Sequence, residues 1–237
     1  MTWQSLSQFL DSMKLIDLSH TLEEQIPAVP THSKFGHQLW HSYAFGDVAL
    51  TYNLTMNEHS GTHVDAYSHF IQEGEAHQHI DEIPLEKFCG PCVKIDLSFL
   101  GPKGEATDQH VRDWEKKHGP IQPGDVVLID FGWSKYWKKR PHDYDFVHNH
   151  PGVGASLAKY LVEKQVRLVG VDTISVDVCD TTEFPAHYTL LGNQIPIAEN
   201  LKNLDQIESR GIFMAFPLPI KEGSGSPVRA VAWVPKS

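Results

Sequence analysis

Residues 57–70 read NEHSGTHVDAYSHF, and within them His59, His63, Asp65 and His69 follow one another at spacings of four, two and four. Neutral imidazoles with a carboxylate make a mixed nitrogen and oxygen donor set. Such a set suits Zn²⁺ or Mn²⁺ better than Ca²⁺ or Mg²⁺. A carboxylate has two oxygens and can bridge two ions. A divalent ion lowers the pKa of bound water towards ~7 and polarises a carbonyl oxygen. The chemistry to expect is therefore hydrolysis of an amide or formyl group. The leaving amine needs a proton, and His69 is placed to act first as base and then as acid. By residue type alone His69 also fits a third metal ligand or a group that orients one. The bland alternative is a set of ordinary surface histidines in a chain that has 15 of them.

Other pairings compete for attention. Cys89-Gly90-Pro91-Cys92 has the spacing of a thioredoxin-type redox site. That chemistry needs the first thiol at a helix N-terminus, whereas this motif runs into Val93-Lys94-Ile95-Asp96-Leu97, a strand pattern. A turn before a buried strand explains it. His77 and His79, and then His142, His148 and His150, lie in polar, turn-rich stretches and read mostly as solvated, with His150 or its neighbours as candidates to border the pocket. Phe131, Trp133, Tyr136 and Trp137 fit an aromatic pocket wall or a packed helix face equally well. No Gly-rich phosphate loop and no Gly-x-Ser-x-Gly elbow is present.

The elements that must position these residues can be read coarsely. Apolar residues at helical spacing mark a short amphipathic helix over 3–13. Strands are expected at 15–18, 48–56, 92–97, 126–131 and 167–171, and in the tail at 211–220 and 227–234, the last two joined by the turn-rich 223–227. Helices are expected at 107–118, with Thr107 as N-cap and Gly119 beyond its end, and at 154–165. The His/Asp group follows the 48–56 strand, and Gly61 with Thr62 disfavours a helix there. A tight loop at the strand end is expected. The fold class is α/β: a single domain, 1–237, with a mixed, β-rich sheet flanked by helices.

With these residues in view, the chain resembles the cyclase family of metal-dependent hydrolases, which includes bacterial kynurenine formamidases and isatin hydrolase. The resemblance rests on HxGTHxDxxxH, here His59 to His69. It extends to IDLSHTL at 16–22, GVDTISVD at 170–177, AENLKNL at 198–204 and GSPVRAVA at 225–232. Only the helix at 1–13 looks like an extension. The resemblance implies that His59, His63 and Asp65 bind metal, with Asp65 bridging. It implies that His187 and Glu199, twelve residues apart, complete a second metal position and that His69 is the catalytic base. From the residues alone, His187 and Glu199 read as a surface histidine and part of an N-cap region. One departure stands out: many relatives have Pro where this chain has Tyr67, which is expected to alter the pocket wall.

The activity implied is that of an arylformamidase, converting N-formyl-L-kynurenine to L-kynurenine and formate with Zn²⁺, one or two ions, or with Mn²⁺. Hydrolysis of a cyclic amide such as isatin is the alternative within the class. A non-catalytic metal-binding or regulatory protein is the alternative outside it. A homodimer or higher homo-oligomer is implied too, and the N-terminal helix would suit the subunit contact.

Composition bounds the partners. Lys and Arg number 20 against 30 Asp and Glu, a formal net charge of −10, and the cations are scattered apart from Lys138-Lys139-Arg140. Nucleic-acid affinity depends on neutralising phosphates, so none is expected. No run approaches the ~20 apolar residues of a membrane span, and no signal peptide is evident. Three cysteines are too few for a disulfide framework. The chain reads as a cytoplasmic protein acting on a small-molecule amide.

Overall fold

The computed structural model describes residues 2–236. Its strands are β1 (Met13–Asp17), β2 (Gly36–His41), β3 (Thr51–Thr55), β4 (His63–Asp65), β5 (Cys89–Asp96), β6 (Glu105–Ala106), β7 (Val126–Asp130), β8 (Gly152–Val153), β9 (Leu168–Val171), β10 (Ile197–Glu199), β11 (Arg210–Met214), β12 (Gly225–Pro227) and β13 (Val231–Pro235). Its helices are α1 (Trp3–Asp11), α2 (Asp108–His118), α3 (Tyr144–His148), α4 (Ala155–Glu163) and α5 (Pro185–Gly192).

Nine strands form one mixed sheet in the order β1-β13-β11-β5-β7-β9-β10-β4-β12. The centre, β5-β7-β9-β10, is parallel. Strands covered on both faces read as unbroken apolar runs, and every residue of β7 and β9 is buried. Each fully buried Val, Leu or Ile contributes roughly 1.5–3 kcal/mol, so burial of this centre stabilises the sheet that carries the site. Helices α2, α4 and α5 add Val111, Leu157, Leu161, Leu190 and Leu191 to the same apolar cluster. Helix α2 starts where expected, at Thr107, whose N–H donates to His110 Nδ1 at 3.0 Å. Among the described residues no helix is long and apolar enough to cross a membrane.

Four sequence expectations need correction. The 48–56 strand shrinks to β3, and it pairs only with β2, apart from the main sheet. Of the metal-ligand motif only His59 lies on the loop that follows it. Instead β4 inserts between β10 and β12 and carries His63 and Asp65 on a buried strand. The 211–220 strand ends at Met214, and part of the expected turn, Gly225–Pro227, forms β12 on β4. Pairing with the otherwise open edge of β4 satisfies backbone groups that a free turn would leave to water. Cys89 already belongs to β5 and all three cysteines are free. Burial pushes the Cys92 thiol up to about 12, and no helix follows to activate it. Finally, Phe131 and Trp133 are core residues, and Trp137 stacks on His20 with ring centroids 3.9 Å apart. The aromatic run packs the interior.

A candidate metal centre at the edge of the parallel strands

Antiparallel pairing sets His63 of β4 directly opposite Glu199 of β10. Residues two apart on a strand share a face, so Asp65 joins them. His63 Nε2 lies 3.3 Å from Asp65 Oδ1 and 3.4 Å from Glu199 Oε2. His187, on the first turn of α5, approaches from the other side. Its Nε2 is 3.6 Å from Asp65 Oδ2 and 3.5 Å from Glu199 Oε1. Two histidines 124 positions apart in the chain, His63 and His187, thus meet around two carboxylates. Ligands about 2.1 Å from a tetrahedral zinc stand about 3.4 Å from one another, which is the spacing seen here.

His59 lies on the loop before β4. Its ring is 2.7 Å from Asp65 Oδ1 through Nδ1 and 3.0 Å from Ser224 Oγ through Nε2. The turn between His59 and His63 needs Gly61. Its φ is +64°, and a Cβ there would sit 2.5 Å from Leu22 Cδ2. His69 follows β4 on a single 3₁₀ turn and stacks on His59 with centroids 3.9 Å apart. One nitrogen of His69 falls within 4.8 Å of donor atoms on His59 and Asp65. All six residues singled out in the sequence are therefore brought together.

The groups that support these residues come from the GVDTISVD and AENLKNL segments, whose sequence alone gives them no role. Asp177 is buried and accepts from His187 Nδ1 at 2.6 Å and from the backbone N–H of Ala186 and His187. Asp177 thereby fixes the ring with Nδ1 as its donor and turns Nε2, the nitrogen a metal would use, towards the carboxylates. His63 Nδ1 donates to Gly61 O at 2.9 Å, and Asn200 Nδ2 donates to the same carbonyl. Glu199 Oε1 accepts from Val176 N at 2.7 Å. Asp172 accepts from the backbone N–H of Phe131, Trp133 and Ser134, and burial pushes its carboxyl up to about 7. It pins the loop after β7 to the end of β9. The spacing of GVDTISVD contained both aspartates, but only the fold shows what they hold.

The electrostatics call for a cation. Asp65 and Glu199 are buried side by side, and no Lys or Arg lines the cavity that Glu199 borders. Asp65 Oδ2 is buried without a hydrogen-bond partner. Leaving such an oxygen unpaired costs stability. Burial opposes ionisation of Asp65, yet the imidazoles of His59 and His69 hold its carboxyl well below the usual range. Burial likewise opposes charge on His63, but Asp65 and Glu199 raise it to about 10. Two carboxylates that pull positive charge onto the neighbouring imidazoles fit a divalent metal, which would take the place of those protons on the ring nitrogens.

The cavity holds ≈ 210 Å³. His32, His69 and Ser175 give it polar points, and Val29, Phe70, Ile174 and Phe184 give it an apolar wall. Tyr67, expected at that wall, is buried in the core and does not line the cavity, because the 3₁₀ turn directs it inward. His150 is buried nearby and borders an adjoining hollow that shares Val29, Ile174, Ser175 and Phe184 with the cavity.

Comparison with known proteins agrees with this geometry. The cyclase family model ("Putative cyclase") matches residues 16–178. The kynurenine formamidase of Bacillus anthracis is 33% identical over 224 residues, 94% of this chain and 98% of that protein. Isatin hydrolase A of Labrenzia aggregata, solved with benzyl benzoate, superposes with a TM-score of 0.89 at 32% identity, over 98% of this chain and all (100%) of that one. An isatin hydrolase bound to the product analogue thioisatinate superposes with a TM-score of 0.90 at 26% identity, over 100% of both chains. By motif, fold and length of match, the chain belongs to the cyclase family of hydrolases.

Proposed function

We propose that the protein is a metal-dependent arylformamidase that converts N-formyl-L-kynurenine to L-kynurenine and formate. The observation that carries this reading is His69 beside the buried Asp65/Glu199 pair, in a cavity with an aromatic wall. His63, Asp65, His187 and Glu199 would hold the metal, with His59 on the Asp65 side. A bound divalent ion would acidify water and polarise the formyl oxygen. Mixed nitrogen and oxygen ligation favours Zn²⁺, with Mn²⁺ as the second choice.

The chain's own groups supply the proton transfers. Burial pushes His69 down to about 4, so its ring is neutral at pH 7 and can accept a proton. It takes one from water as the oxygen adds to the formyl carbon. When the C–N bond breaks, it returns that proton to the leaving aryl nitrogen, releasing formate and amine. Phe70 and Phe184 would lie against the aryl ring, and Val29 and Ile174 would exclude water.

A second reading is ring opening of a cyclic amide such as isatin. The close superposition on isatin hydrolases favours it, as does a cavity lining with no Lys or Arg to meet a substrate carboxylate. Initial rates with N-formyl-L-kynurenine and with isatin, each with metal-replete and chelated protein, separate the readings. Chelator-sensitive turnover of the formyl substrate supports the first. Turnover of isatin alone moves the function to the second. Metal binding without turnover of either would mean a non-catalytic metal protein. Assembly as a homodimer in the cytoplasm is part of the proposal, and the three free cysteines suit a reducing compartment.

A further inference from the structure

The cavity at the metal centre, ≈ 210 Å³, is smaller than the ~300–1,000 Å³ of most small-molecule sites. The adjoining hollow adds ≈ 240 Å³ and shares the wall formed by Val29, Ile174, Ser175 and Phe184. With this second lobe the site comes within the usual range. The lobes differ in chemistry. The first holds His69 and the metal-facing groups, whereas the second is bordered by His148, His150, Asp180 and Thr181.

His150 is the buried polar group of the second lobe, with only 4% of its surface exposed. Its Nδ1 lies 3.1 Å from Pro151 O. A carbonyl can only accept, so Nδ1 carries the proton and Nε2 has a lone pair. Among the described residues no group hydrogen-bonds to that nitrogen. Burial lowers the pKa of the ring, so it is neutral at pH 7. Glu199 and Asp180 act on it in the opposite direction, which puts it within electrostatic reach of the metal centre and of the rim. So enclosed an acceptor calls for a donor, and the protein supplies none.

Asp180, on the rim of the lobe, pairs with Lys103 at 2.5 Å. Both side chains are exposed, and such a pair is worth little to stability, so a ligand that meets both partners can open it. One anion and one cation side by side are the complement of a zwitterionic α-amino acid group.

We propose that the second lobe is the subsite for the α-amino acid group of the substrate, with the ammonium lying between His150 Nε2 and Asp180 and the carboxylate accepting from Lys103. The inference rests on the arylformamidase reading above. It supplies the cation that the metal lobe lacks. Isatin has no such group and would leave the lobe empty.

The test compares kcat/KM of the zinc-loaded full-length protein on N-formyl-L-kynurenine and on 2′-formamidoacetophenone, the same aryl formamide without the amino acid group. The parent should prefer the first by about 10–100-fold, the worth of a hydrogen bond from a charged group, and should do so through KM. His150→Leu should lose most of that preference by raising KM for N-formyl-L-kynurenine. Asp180→Asn, at an exposed position, should reduce it severalfold and decides the matter if His150→Leu does not fold. Equal kcat/KM on the two substrates in the parent, or variants that lose the same factor on both, overturns the subsite while the arylformamidase reading stands. No turnover of either aryl formamide overturns that reading and the subsite with it.

Discussion

Replacing Asp177 with Asn changes one atom and should weaken metal binding without unfolding the chain. The native carboxylate accepts from His187 Nδ1 at 2.6 Å, which leaves Nε2 facing Asp65 and Glu199 and free to ligate once a metal displaces its proton. An amide has one acceptor oxygen, and its NH₂ can turn towards the ring. The tautomer with a proton on Nε2 then becomes available, and that nitrogen cannot ligate. A hydrogen bond to a charged group contributes about 1.5–3 kcal/mol. Removing a partner that orients a metal-binding His costs about 10–100-fold in affinity, or about 1.4–2.8 kcal/mol. The two routes agree. Asp177 also accepts from Ala186 N and His187 N at the start of α5, and losing one such cap bond costs about 1 kcal/mol. The assay is competition for Zn²⁺ against a chromophoric chelator at pH 7, with a thermal melt of the metal-free protein. Affinity should fall ~10–100-fold while the melt drops by only roughly 2–4 °C. Unchanged affinity in a folded Asp177→Asn protein would refute the orientation of His187 by Asp177, or the place of His187 among the ligands.

Three further outcomes follow from the same geometry. His69→Ala should lower turnover of N-formyl-L-kynurenine by about 10²–10⁴-fold while the bound metal, counted by elemental analysis, stays; loss of metal would make His69 a ligand. Burial pushes His20 down to about 4, so the folded state keeps it neutral while the unfolded chain protonates it near 6.5. Stability from this group is full above pH ~6.5 and is lost as pH falls towards ~4, about 2 kcal/mol of it by pH 5. Urea midpoints of the metal-free protein at pH 7.5 and pH 5 should therefore differ less in His20→Asn than in the parent, and equal differences would remove His20 as the cause. Gly225→Ala places a Cβ 2.7 Å from His59 Cε1 and 2.8 Å from Val64 O. It should cost roughly 1–3 kcal/mol and weaken metal binding, and native affinity in the metal titration would show that the position of His59 is not needed.

Part of the site was legible because its donors are local in sequence. His59, His63, Asp65 and His69 lie within one turn–strand–turn, so their spacing already states their chemistry. Helix α2 was legible for a similar reason: its Thr107 cap and Gly119 stop are local signals. The strand at 48–56 misled because β-propensity says that a segment is extended and does not say what it pairs with. Its aromatic and β-branched residues suit an exposed ribbon as well as a sheet edge. Tyr67 misled because it stands two residues from Asp65 and two from His69 in sequence, yet the short 3₁₀ turn that carries His69 to the cavity buries Tyr67 in the core.

What the sequence determined by itself is therefore the reacting groups: an imidazole and carboxylate set, an adjacent histidine to move a proton, and apolar runs for a parallel centre. Tertiary structure decided everything that depends on partners far along the chain. Antiparallel pairing of β4 with β10 set Glu199 opposite His63, and the loop after β9 brought Asp177 under His187. Chain folding also left Asp65 and Glu199 buried together with no Lys or Arg lining the cavity that Glu199 borders. Burial of paired charge is a property of the surroundings in space, and residue spacing carries no record of it.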